Sequence, residues 1–254
     1  MTNNPTVKDD TADRLIDALN QDGFILYCQL IVALRPEKEP YQEILIRFRE
    51  EEEKLLPPGT FIPVLESSHL MHILDRWVLN RVIKWIHARR RSDPLWNAPC
   101  CSINLSNDSL ASRDFPDFVK AQLEKGKISG RKIAFEIAEE DAASHAAAFE
   151  RFTSVLVPLG CRFTLTSYQG SWVPLEQLKP QRIDGVKIDV GITSSLHADA
   201  AAYARAHAIQ AHCETQGLST LGELVEQAHT LEKLKELGVH FAQGYGISMP
   251  EPLR

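Results

Sequence analysis

Apolar positions along the chain fall into short runs of strand character, separated by stretches in which they recur every three or four residues. The runs are FILYCQLIVAL (24–34), EILIRF (43–48), CCSINLS (100–106), KIAFEIA (132–138), CRFTLTS (161–167), DGVKID (184–189), LSTLGEL (218–224) and VHFAQG (239–244). Helical period marks 69–91, through Met71, Leu74, Trp77, Val78 and Val82, then 115–125, 141–157, the Ala-rich 198–216 and 227–237. The stripe Leu70, Ile73, Trp77 and Ile83 is expected to face the core. Strand then helix, repeated, predicts a mainly parallel sheet. Eight such strands over about 250 residues match an α/β (β/α)8 TIM barrel. Only PEKEPYQ separates the first two runs, too little for a parallel crossover. They are expected to pair antiparallel, which makes the barrel a modified one.

The barrel is assigned to residues 23–254, with 1–22 a polar N-terminal segment and linker helix. Within it MTNNPTVKDD is expected to fray, and DDTADRLIDAL reads as an amphipathic helix that closes the barrel or continues a linker. REEEEKL, after the second run, reads as a solvated loop or helix start.

Composition narrows the function classes. The chain is 44% hydrophobic and 24% charged, ordinary for a soluble domain. Its 34 acidic and 28 basic residues give a net charge of -6, which argues against a broad nucleic-acid surface. Five cysteines without CxxC spacing fit neither a zinc site nor a disulfide framework. Reduced thiols and a cytoplasmic location are the expectation. No apolar run of about 18 residues predicts a membrane span, and no signal-peptide pattern opens the sequence.

In this architecture, active sites form at the C-terminal strand ends. Those ends carry Glu43 and Arg47, Asn104, Glu136 with Glu139, Lys187, Glu223 and Gln243. Singly, Asn104 and Glu139 could cap helices, and Lys187 with Glu136 could be a barrel-floor ion pair. Together they aim several carboxylates into one space, which is costly unless cations, metal ions or donors compensate. Mg2+ or Mn2+ favour such oxygen ligands, and a pair about 4 Å apart can activate water. Arg47 adds a planar fork suited to phosphate. The residues point to a phosphoester-binding barrel.

Several ordered segments carry a family resemblance from about Gly23 to Pro250: EILIR (43–47), FIPVLE (61–66), INLS (103–106), FEIAE (135–139), VKID (186–189), GELVE (222–226) and QGYGISMP (243–250). By these the chain resembles the EAL domain family, the cyclic di-GMP phosphodiesterases. The resemblance implies that Glu43, Asn104 and Glu136 stand at metal-ligand positions, that Lys187, Glu223 and Gln243 complete the site, and that Glu139 steadies the loop after the fifth strand. It further implies that Arg47 holds a phosphate while Leu45, Pro63 and Tyr245 contact bases and riboses.

One segment departs from the family pattern. Where a DDFG segment would place two metal-binding aspartates, this chain has Thr166, Ser167, Tyr168 and Gln169. Neutral hydroxyls are much weaker ligands for hard divalent ions. Gln169 also stands where the pattern has a turn-favouring Gly, GSWVPL replaces the usual following loop, and Leu224 replaces a Gly beside Glu223. On these grounds the chain is expected not to be an enzyme: a degenerate phosphodiesterase acting as a cyclic di-GMP receptor without a required metal. Receptors of the FimX type, which regulate type IV pilus (twitching) motility and dock a PilZ-domain partner, are the nearest behaviour, and a homodimer is the expected assembly. The alternatives are an interaction module that has lost the nucleotide and a weak phosphodiesterase using one Mg2+ on Glu43, Asn104 and Glu136.

Overall fold

The computed structural model describes residues 6–21, 23–49, 54–170 and 182–254. Strands β1 (Phe24–Ala33) and β2 (Tyr41–Arg49) pair antiparallel from Phe24↔Phe48 to Ile31↔Tyr41, the hairpin that the short connection dictates. A two-residue β3 (Leu55–Leu56) adds to the end of β2. Beside β2, the strands β4 (Cys101–Asn104), β5 (Ile133–Ala138), β6 (Arg162–Tyr168), β7 (Gly185–Ile188), β8 (Ser219–Gly222) and β9 (Phe241–Ala242) follow in parallel. Pairing of β9 back onto β1, through Val32↔Ala242 and Ala33↔Phe241, closes an eight-stranded barrel. A last short strand, β10 (Glu251–Pro252), lies on the outer part of β1. Hydrophobic periodicity could not register two-residue strands.

Helix α1 (Thr6–Asn20) begins inside the segment expected to fray, and it buries Ala12, Leu15 and Leu19. The sequence pattern missed α2 (Pro58–Ser67), because Pro63 interrupts it; Pro58 at its first turn costs no backbone hydrogen bond. Next come α3 (Met71–Ser92), the short α4 (Asn107–Ala111) and α5 (Phe115–Gly126). The single helix expected over 141–157 is two, α6 (Glu139–Ser144) and α7 (Ala146–Leu156), broken at His145. The series ends with α8 (Val190–Ser195), α9 (Ala200–Thr215) and α10 (Ala228–Glu236). In α3, Ile83 is buried while Leu70, Ile73 and Trp77 pack half-buried on the core; the fully buried row is Leu79, Val82 and Ile86. The glutamates 50–53 of the acidic run and most of the GSWVPL loop, within 171–181, lie outside the described residues.

Side-chain alternation along the strands separates two layers. Phe135 and Phe163, partners in register, stack at 5.9 Å outside the barrel wall, and Phe152 of α7 meets them edge-on at 5.3 and 5.7 Å. Glu136 therefore points inward. Inside, a small apolar floor of Ile31, Tyr41, Leu221 and Phe241 fills the N-terminal end. Two residues further along β2 the inward position is Glu43, and above the floor the interior is polar: Ser102, Glu136, Lys187 and Gln243 are all buried.

Candidate functional site

β7 brings Lys187 into this polar layer with its side chain 1% exposed. Its Nζ lies 2.8 Å from Glu43 Oε2, 2.7 Å from Glu136 Oε2 and 3.2 Å from Glu223 Oε1, and it donates weakly to Gln243 Oε1 at 3.5 Å. The other oxygens of Glu43 and Glu136 are also engaged. Asn104 Nδ2 donates to Glu43 Oε1 at 2.9 Å, Gln243 Nε2 to Glu43 Oε2 at 2.9 Å, and Ser102 Oγ to Glu136 Oε1 at 2.6 Å. Glu43, Asn104, Glu136, Lys187, Glu223 and Gln243 thus form one connected cluster at the C-terminal strand ends.

One ammonium faces three carboxylates, and the groups titrate apart. Burial pushes the Glu43 carboxyl up, but the Lys187 charge and the donors Lys187, Gln243 and Asn104 together bring it below the ordinary range. Burial and then repulsion from Glu43 push Glu136 up to about 7 against the pull of Lys187. Burial also raises Glu223, which keeps one edge at the mouth with 22% of its side chain exposed. For Lys187, burial opposes the charge, but Glu136, Glu43 and Glu223 outweigh it and hold the ammonium well above its usual range. The cluster is therefore an ammonium ringed by one carboxyl held below its ordinary range and two pushed above theirs.

The other expected site residues stand around this cluster without bonding to it. Leu45 and Asn104 line a cavity of about 600 Å³ between the ends of β2 and β4 and the helices α2 and α3. Arg47, two positions beyond Leu45 on the same face of β2, lies 5.6 Å over the Tyr27 ring and pairs with no carboxylate among the described residues. Pro63 is exposed on α2, beside Ile62, which lines the cavity. Tyr245 is 55% exposed on the segment after β9. That segment is pressed against the one after β8: a Cβ on Gly244 would sit 2.2 Å from the Val225 nitrogen.

At the uncharged tip of β6, Thr166 pairs with Ala138, one inward position above Glu136. Ser167 is exposed and left-handed at φ 52°, so the turn is taken there and at Gly170 (φ 72°) rather than at Gln169. Glu139 Oε2 accepts from the Gln169 N–H at 2.8 Å and holds this tip, the task that the resemblance gave it. Leu224 is left-handed too, at φ 52°, and half exposed beside Glu223. A branched side chain there costs about 1–2 kcal/mol of backbone strain. Leu224→Gly is expected to stabilise the fold by about 0.5–1 kcal/mol after its own entropic cost, raising Tm by about 2 °C. A fall of that size in a thermal melt would show that Leu224 packing outweighs the strain.

The donor set does not fit a pair of divalent ions. Every oxygen of Glu43 and Glu136 already accepts from a side-chain donor, and the Lys187 ammonium occupies the centre of the three carboxylates. Thr166 and Ser167 offer neutral hydroxyls. Among the described residues no group of three or more His, Cys, Asp and Glu is arranged to hold a metal ion.

Sequence reasoning missed two members of the network. Ser102 stands two residues before Asn104 on the same face of β4, and Gln29 accepts from Gln243 Nε2 at 3.1 Å while sitting opposite Glu43 in register. It also passed over Asp75 of α3, buried, pushed up to about 6 by that burial, and accepting from the Ser106 N–H at 3.0 Å and Oγ at 2.6 Å. This carboxylate ties α3 to the loop that follows Asn104. A buried Asp on an otherwise apolar helical stripe was the available signal.

Comparison with known proteins follows this geometry. The cyclic di-GMP phosphodiesterase PdeB of Shewanella oneidensis is 30% identical over 95% of the chain, and PdeF of Escherichia coli, also a cyclic di-GMP phosphodiesterase, is 28% identical over 95%. The chain spans only about a third of these relatives, 28% and 32% of their lengths. Their names correct the expectation that the chain is not an enzyme. That expectation let two neutral hydroxyls decide, although the carboxylates, ammonium and amides of the strand ends are assembled in one network. Among solved structures, the FimX EAL domain of Pseudomonas aeruginosa bound to cyclic di-GMP has the same fold, with a TM-score of 0.86 at 24% identity over 95% of this chain and 96% of that one. Among the described residues no helix is long and apolar enough to cross a membrane. The EAL domain model matches residues 12–250, and the chain belongs to the EAL domain family.

Proposed function

We propose that this barrel binds cyclic di-GMP across its mouth and hydrolyses it slowly to the linear dinucleotide, within bacterial second-messenger signalling. The observation that carries the reading is the Lys187 cluster with Glu43, Glu136 and Glu223, open at Glu223 and flanked by the carboxylate-free Arg47. The names of the relatives supply the substrate class. Arg47 forks onto a phosphate, and Leu45, Pro63 and Tyr245 offer apolar surface to bases and riboses. Glu223, raised by burial yet open on one edge, accepts the proton of the attacking water as a phosphorus–oxygen ester bond breaks, and the leaving ribose oxygen takes up a proton from solvent. Slow turnover follows from the neutral hydroxyls of Thr166 and Ser167. Output through a PilZ-type partner to type IV pilus motility belongs to the same proposal on the strength of the degenerate segment alone, while a homodimer rests on the family resemblance and a cytoplasmic location on the free cysteines.

Calorimetric titration of cyclic di-GMP in EDTA, followed by chromatography of the nucleotide after incubation with and without Mg2+, tests both halves. Micromolar or tighter binding and gradual appearance of linear product are expected. Arg47→Ala should weaken binding about tenfold or more. Glu223→Gln should bind normally yet form product about a hundredfold more slowly. Absence of heat and of any shift in Tm defeats the binding half, since a ligand of the folded state must stabilise it. Nucleotide recovered intact after long incubation defeats the hydrolytic half and leaves binding standing.

A further inference from the structure

The pole of the barrel opposite the mouth carries an unexplained surface. The last turn of α3 and the connection to β4 read RRRSDPLWNAP, and Leu95 in that connection is 95% exposed, the most exposed large apolar residue described. Cations share this pole. Arg89 lies 5.6 Å over the ring of half-buried Trp96, and Arg90 Nη1 reaches the Lys127 carbonyl at 3.4 Å. Lys132, just before β5, donates to Asn97 Oδ1 at 2.7 Å. Arg131 shares with Lys132 and Asn97 the wall of a cleft at the N-terminal strand ends, whose other charged residues are Glu39 and the paired Arg162 and Asp184. None of Arg89, Arg90, Arg91, Lys127, Arg131 and Lys132 pairs with a carboxylate among the described residues. Asp93, the acidic residue within the run, is engaged by the Leu95 N–H at 3.1 Å.

Six unneutralised cations on a chain of net charge -6 concentrate positive potential at one pole. A fully exposed Leu next to a Trp, on a pole that carries these Arg and Lys residues, has the composition that seats in the boundary between lipid headgroups and acyl chains. A nucleic-acid surface would explain the cations but gives the exposed Leu95 nothing to do. We propose that the N-terminal pole docks peripherally on anionic lipid, with Leu95 entering the headgroup boundary and Arg89 to Arg91, Lys127, Arg131 and Lys132 facing lipid phosphates and carboxylates. The mouth containing Lys187 then faces the aqueous phase, so docking leaves it open. This inference is independent of the reading of the mouth.

Flotation of the chain with phosphatidylcholine vesicles, with and without phosphatidylserine, tests it directly. Binding is expected only with phosphatidylserine, and raised salt should remove it. Arg90→Glu with Arg91→Glu should weaken partitioning about 25-fold or more, at about fivefold per cation near the surface. Leu95→Ser should weaken it about three- to tenfold. All of these variants should stay folded, the Arg pair melting slightly lower because two cations leave the C-terminal turn of α3, and should titrate cyclic di-GMP as the parent does. Failure to float with phosphatidylserine overturns the proposal. Binding that ignores Leu95→Ser and is matched by a short DNA duplex overturns it as well, and makes the pole a general polyanion surface.

Discussion

Lys187→Met is expected to destabilise the barrel by about 3–5 kcal/mol at neutral pH, read as a drop in denaturation midpoint with unchanged slope. The side chain being removed is 1% exposed and is the cation shared by Glu43, Glu136 and Glu223. Without it, three carboxylates face one another in a polar layer sealed below by Ile31, Tyr41, Leu221 and Phe241. Removing one partner of a buried ion network leaves uncompensated charge, whereas a neutral replacement of the whole network costs far less. Lys187→Met combined with Glu43→Gln and Glu136→Gln should therefore recover most of the loss. The pH dependence has a definite sign. In the single variant, burial without the ammonium raises the folded-state pKa of the carboxylates above their unfolded values, so the folded state takes up protons and the deficit shrinks as pH falls. A cost under about 1 kcal/mol, the range of exposed pairs, would falsify the account of the mouth as a buried charge cluster.

The same layer shows why some of this molecule was legible in its sequence. Period-two runs bounded by helical stretches gave the eight barrel strands, and the brevity of PEKEPYQ gave the antiparallel hairpin, since chain length alone forbids a parallel crossover. Glu43, Asn104, Glu136, Lys187, Glu223 and Gln243 could be grouped because parallel strands all present their C-terminal ends to one mouth. Gln29 escaped that rule for a geometric reason: β1 runs the other way, so the residue it contributes is not at its C-terminal end. Ser102 escaped because a serine inside a strand has no signature; only its hydrogen bond to Glu136, two residues along β5 from its register partner Ala134, gives it a role. Pro63 came from a linear motif, which carries no orientation; α2 leaves it exposed beside Ile62, which lines the cavity. The helix at 141–157 broke at His145, whose break the Ala-rich pattern did not signal. The reading of the chain as no enzyme failed differently, by making two side chains of one strand tip stand for a network drawn from six strands.

Those two side chains support the other large effect. Thr166→Asp with Ser167→Asp is expected to create a divalent-ion site and to raise hydrolysis of cyclic di-GMP by about tenfold or more, equivalent to about 1.4 kcal/mol off the barrier. The backbone accommodates both changes. Thr166 stands in register with Ala138, so an Asp there enters the mouth one inward position above Glu136. Ser167 is left-handed at φ 52°, a conformation that Asp tolerates better than most residues. Without metal the double variant should be less stable than the parent, because two further negative charges join a cluster in which one ammonium already faces three carboxylates. Mn2+ should reverse that loss, by about 2.7 kcal/mol at a hundredfold excess over its dissociation constant, and should leave the Tm of the parent nearly unmoved. Calorimetry with Mn2+, thermal melts and product chromatography separate the outcomes. Mn2+ bound with turnover unchanged would mean that the missing carboxylates limit ion binding but not the rate. No Mn2+ bound at all would mean that Lys187 keeps the carboxylates committed even with two aspartates added, and that the neutral tip of β6 is not what excludes the metal.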